Sequence, residues 1–211
     1  MSIPLLGYGY FIASLIPLSV GVIRYRFLDR PMKILTLLCV LAVLSASAEL
    51  TLGRLAVNNR FIANNYVPVE VLLITLVYFF STSTAKYRRI LIATYALFAI
   101  VWTVDKVLFD VPNETNSTMA LVSRLFLFSI SLLMISTASR DTKTALGDKP
   151  IFWVAAGVLL YSTGTFVVVG LGNRLLQLNV TLFVIAWHIN WLLLIVANLL
   201  YTKGLLCKTQ A

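Results

Sequence analysis

The chain has 211 residues, 60% of them hydrophobic and only 12% charged, with a formal net charge of +9. A soluble domain carries about 25% charged residues, so this composition excludes an ordinary soluble enzyme, a disordered chain and a secreted disulfide scaffold. Mean hydropathy is +0.92, and the apolar residues come in runs close to the ~20 that a spanning helix needs.

The fold class expected is therefore all-α, a polytopic membrane protein with seven transmembrane helices in one bundle. In chain order the spans fall at about 5–23, 34–54, 66–83, 90–109, 119–138, 151–171 and 180–201. The first is expected to be a spanning helix rather than a signal peptide, because residues 1–23 carry no charge and Arg24, Arg26 and Arg30 follow the apolar run. Basic residues behind the run mark a first helix that stays in place. The spans leave only short loops and tails, so residues 1–211 are expected to form a single transmembrane domain with no soluble domain.

Lys and Arg fix an expected orientation. Arg24, Arg26, Arg30 and Lys33 lie in the first loop, Lys86, Arg88 and Arg89 in the third, Arg140, Lys143 and Lys149 in the fifth, and Lys203 and Lys208 at the end. The opposite side has Arg54, Arg60 and Arg174, while Lys106 and Arg124 sit inside spans. Positive-inside reasoning puts the N-terminus out and the C-terminus in. The same scatter over short loops argues against a nucleic-acid partner and for membrane lipids. On the outer side the second and fourth loops are rich in Asn, and Asn113, Asn116 and Asn179 begin N-x-[ST] triplets.

Ionisable groups in hydrocarbon are costly, by about 2.5–3.5 kcal/mol each, so they need partners or a task. Glu49, Glu70, Asp105, Lys106, Arg124 and His188 all fall in the outer half of the predicted bundle. Arg124 lies about 9 Å below the outer surface and His188 about 12 Å, at 1.5 Å per residue. One reading is a polar ligand pocket. The other is interhelical pairing, for instance of Arg124 with Glu70 or Glu49. Helical spacing adds two aromatic stripes, Tyr95, Phe98, Trp102 and Asp105 in the fourth span and His188, Trp191, Ile195 and Asn198 in the seventh. Gly157, Tyr161 and Gly164 share a face in the sixth span that permits close helix approach, and Ser45, Glu49 and Gly53 are spaced by four in the second. The candidate ligand-binding residues are Glu49, Glu70, Trp102, Asp105, Arg124, Tyr161, His188 and Trp191.

Several chemistries find no support. No Lys lies deep in the seventh span for a retinal Schiff base. One His and two separated Cys do not make a metal site, and no phosphate loop or G-x-S-x-G is present. No cofactor is implied.

Two stretches carry a resemblance. Tyr66-Val67-Pro68-Val69-Glu70-Val71-Leu72-Leu73 leaves an outer loop into a helix bearing a Glu. Pro150-Ile151-Phe152-Trp153 leads through Leu159-Leu160-Tyr161-Ser162-Thr163-Gly164 to Trp187-His188-Ile189-Asn190 and Asn198-Leu199-Leu200-Tyr201. Together they resemble a family of uncharacterised bacterial seven-helix inner-membrane proteins, similar to the membrane input modules of some sensor histidine kinases. The resemblance covers spans three, six and seven. It implies a sensor that reads a small or amphipathic ligand from the outer side and signals to a partner in the membrane or cytoplasm, since no kinase domain is expected in this chain. A small-molecule carrier and a lipid-modifying enzyme using Glu49, Glu70 and His188 are the alternatives.

Overall fold

The computed structural model describes residues 5–55, 57, 59–108, 117–140, 142 and 144–207. Seven α-helices run through them: α1 (Leu5–Arg24), α2 (Arg30–Arg54), α3 (Arg60–Ser81), α4 (Ala85–Leu108), α5 (Ser117–Arg140), α6 (Pro150–Leu178) and α7 (Val180–Leu206). Short 3-10 turns at Tyr25–Phe27 and Leu146–Asp148 sit in two of the connections, and no strand occurs among the described residues. All seven helices are long and apolar enough to cross a membrane. Residues 109–116, with Asn113, Asn116 and the acidic part of the fourth loop, lie outside the described residues, as do Lys143 and Lys208.

All seven helices run longer than hydropathy alone marks, and α2 to α6 also begin earlier. The Asp29 carboxylate accepts a hydrogen bond from the Met32 amide at 3.1 Å, and Pro31 occupies the first turn. Cap and proline together start α2 at Arg30, ahead of its apolar run. Helix α3 starts six residues before the expected boundary, so Glu70 lies about 15 Å along it rather than one turn in. Pro17 in α1 and Pro68 in α3 each remove one backbone donor from a helix interior.

Neighbour contacts close α1, α2, α3, α5, α6 and α7 into a ring, with α4 packed outside against α3 and α5. One end of the ring gathers the basic connections. There the Arg24 guanidinium donates to the Leu205 carbonyl at 2.6 Å, satisfying an orphan carbonyl at the end of α7. Buried Lys149 does the same for the Ala138 carbonyl of α5 at 2.8 Å. Arg30 stacks on Phe80 at 3.8 Å and Arg88 on Phe79 at 5.2 Å. Much of the basic end is thus tied into the fold.

The solid core lies toward this end. Met32 and Leu35 of α2, Ile74, Val77 and Tyr78 of α3, Leu127 of α5, Val154 and Val158 of α6 and Leu205 of α7 are all fully buried. A hydrogen bond of 2.8 Å between the Tyr78 and Ser131 hydroxyls fastens α3 to α5 within it. Helices α6 and α7 approach so closely that a methyl group on Gly157 would stand 2.6 Å from the Tyr201 ring and 3.1 Å from the Ala197 carbonyl oxygen. A methyl group on Gly164 would collide with the Leu193 side chain. The glycine face expected in the sixth span is therefore a helix contact.

Gly157→Val is predicted to cost about 1–3 kcal/mol through overpacking, visible as a lower unfolding temperature in mild detergent. Gly147, where an added methyl meets nothing within 4 Å, is the control. Gly147→Ala should stay within about 0.5 kcal/mol.

Candidate functional site

Above the solid core the ring is hollow. A cavity of about 210 Å³ opens between α1, α2, α3, α6 and α7. Helix α2 leaves room because its inward face carries small residues: Ala42, Ser45 and Ala46 follow Leu38 and Cys39, and Glu49 completes the stripe. These positions recur at helical spacing on one face. Tyr10 and Ser14 of α1 and Tyr66 and Glu70 of α3 line it as i, i+4 pairs. Helix α7 presents Leu194, Ala197, Asn198 and Tyr201, again at i, i+3, i+4 and i+7, and α6 contributes Tyr161.

Two carboxylates reach this space in different states. Glu70 is buried, and its Oε2 accepts from Arg124 Nη1 at 2.8 Å. Both side chains are nearly withdrawn from solvent, at 8% and 7% exposure, so each needs the other. The guanidinium also lies over the Tyr161 ring at 4.5 Å. Arg124 thereby joins α5 to α3 and α6 at one level. Its Nε, like Ser162 Oγ, is buried without a protein partner among the described residues.

Glu49 is half-buried, near the Arg54 end of α2. Its Oε1 accepts from Ser45 Oγ at 3.1 Å, and its side chain makes no ion pair among the described residues. The Asn59 side-chain amide donates to the Glu49 backbone carbonyl at 2.8 Å, holding Asn59 against this end of α2.

Of the candidate residues, the structure brings together Glu49, Glu70 and Tyr161 on the cavity wall, with Arg124 directly behind Glu70 and Tyr161. Trp102, Asp105, His188 and Trp191 do not line this cavity. Trp102 packs against the core. Its neighbour on the stripe, Phe98, is buried with its ring 5.4 Å from Phe126, so that face of α4 meets α5. Asp105 is half-buried near the end of α4. His188 donates from Nδ1 to the Val184 carbonyl at 2.7 Å and meets Trp191 edge-on at 5.5 Å. Trp187 extends that cluster, 6.0 Å from Trp191. Glu49, Glu70 and His188 therefore do not converge on one space.

Tyr10, Tyr66, Tyr201 and the small face of α2 are the cavity residues that sequence reasoning missed. For Tyr10 and Tyr66 the signal was available as i, i+4 pairings with Ser14 and Glu70 within apolar spans.

No family model, curated protein or solved structure matches this chain.

Arg124→Ala leaves Glu70 as an uncompensated buried charge, for which the expected loss is about 3–5 kcal/mol. Glu49→Gln keeps an acceptor for Ser45 and should cost less than about 1 kcal/mol. Thermal unfolding of both variants in mild detergent checks the contrast.

Proposed function

We propose that this chain is a receptor-like integral membrane protein of a bacterial inner membrane that holds a small ligand in the cavity between α1, α2, α3, α6 and α7. The observation that carries this reading is the cavity itself. Inward faces of five helices converge on it with two carboxylates, four tyrosines, serines and an asparagine. Structural pairing alone accounts for Glu70 and Arg124 but leaves this hollow unexplained. Small-molecule sites combine apolar walls with a few convergent polar groups, and the space exceeds the ~150 Å³ cavity that holds a benzene.

The positive-inside bias orients the N-terminus outward and the C-terminus inward. Glu49 then stands on the outer side, and the ligand comes from there. Two packings of the ring around the filled and unfilled cavity would differ most where α2 and α7 face each other. The basic loops would carry that difference to a membrane or cytoplasmic signalling partner.

One observation favours a second reading, a carrier. The cavity extends along α2 from Glu49 to Leu38, about 16 Å, and so reaches into the half of the bundle near the basic loops. Uptake by proteoliposomes separates carrier from receptor.

Native mass spectrometry of the full chain from mild detergent tests the pocket. A retained small molecule that disappears from Ala46→Phe or Ala42→Leu, both of which fill the cavity, is the expected result. Equal retention in the folded variants would overturn the reading. For orientation, Asn179→Cys should react with a membrane-impermeant thiol reagent on intact cells, and Gly147→Cys only after permeabilisation.

A further inference from the structure

The charge of the cavity wall narrows the chemistry of its occupant. Among the described residues no Lys, Arg or His lines the space, whereas Glu49 and Glu70 both do. Arg124 neutralises Glu70 from behind the wall through the 2.8 Å ion pair. That leaves Glu49, whose carboxylate accepts from the neutral Ser45 hydroxyl and makes no ion pair among the described residues, as the charge on the wall. An anionic occupant would meet a net negative wall, with no cation among the described lining residues to receive it.

The remaining polar lining fits a cation equally well. Tyr10, Tyr66, Tyr161 and Tyr201 all border the cavity. Electron-rich tyrosine rings attract ammonium groups, most strongly where water is excluded. One such contact already exists at the site, with the Arg124 guanidinium over Tyr161. Leu38, Ala42 and Leu194 add apolar wall suited to carbon substituents rather than to a hydrated ion. No group of three or more His, Cys, Asp or Glu side chains that could hold a metal ion occurs among the described residues, which sets this site apart from a transition-metal site. The volume of about 210 Å³ limits the occupant to a small molecule.

We infer that the cavity binds a small organic cation, a primary or quaternary amine, with its charge at Glu49 and its carbon groups among the tyrosines. This rests on the pocket reading above and adds the ligand class to it. Selectivity would come from the pairing of Glu70 with Arg124. By satisfying one carboxylate inside the protein, that pair leaves a single negative charge for a singly charged guest.

The test uses the full chain in a nonionic detergent. Its unfolding temperature is followed with tetramethylammonium, choline and ethylamine, against potassium chloride at equal ionic strength and against acetate. At least one amine probe should raise the unfolding temperature by about 5 °C near saturation, with no such effect of potassium or acetate. Glu49→Gln should abolish the shift, and Glu49→Asp should retain part of it. Should Glu49→Gln fail to fold, the charge class of any molecule released from the purified wild-type protein decides instead. An amine supports the inference, and an anion or neutral molecule overturns it. Stabilisation by acetate alone, or an amine shift unchanged in Glu49→Gln, would overturn the cation assignment while leaving a pocket. No shift from any probe together with no retained molecule would overturn both the assignment and the pocket.

Discussion

The ion pair between Arg124 and Glu70 is the interaction on which the rest of this bundle depends. It joins α5 to α3 at 2.8 Å, well inside two apolar helices. Neither charge could be left alone there, since a single ionised group in hydrocarbon costs about 2.5–3.5 kcal/mol even on insertion scales. The pair therefore fixes the relative depth and rotation of α3 and α5. Tyr161 beneath the guanidinium extends the constraint to α6. Once those three helices are set, Glu70 and Tyr161 form one wall of the cavity.

The other walls follow from residue size. Bulky side chains fill the ring near the basic loops, where Met32, Leu35, Ile74, Leu127 and Leu205 are fully buried. About two to three turns further along α2 the inward positions become Ala42, Ser45 and Ala46, and the packing opens. On the far side, Gly157 and Gly164 draw α6 tight against α7, which holds Tyr201 and Asn198 toward the hollow. A dense end and a hollow end thus come from the same helices, by a change of side-chain volume along one face.

The number of helices was legible because each spanning segment must be apolar over its whole length. Their ends were less so. Asp29 and Pro31 start α2 by capping chemistry, which a hydropathy run does not register. Likewise α6 continues to Leu178, through the sequence Gly170-Leu171-Gly172-Asn173-Arg174, since backbone hydrogen bonding does not require apolar side chains. The pairing of Arg124 with Glu70 was one of two partners that depth allowed. Which residues face the cavity was harder to read. In a membrane, lipid is as apolar as a core, so the pattern on α7 does not say that Tyr201 points inward while the His188–Trp191 cluster lies elsewhere. Aromatic spacing on α4 marked a real face, yet Phe98 shows that this face packs against α5. Four tyrosines inside spans line the cavity, yet Tyr78 bonds Ser131 within the solid core, so a span tyrosine marks a polar partner rather than the cavity itself.

A double-mutant cycle on the central pair tests this account most directly, with Glu70→Gln, Arg124→Gln and the double variant compared by thermal unfolding in mild detergent. Each single variant strands one buried charge, while the double variant strands none. The account predicts that the double variant regains most of the stability lost by either single one, so that the coupling is at least as large as one single loss, about 3–5 kcal/mol. Losses that simply add would contradict it, because α3 and α5 would then be held together by something other than this pair.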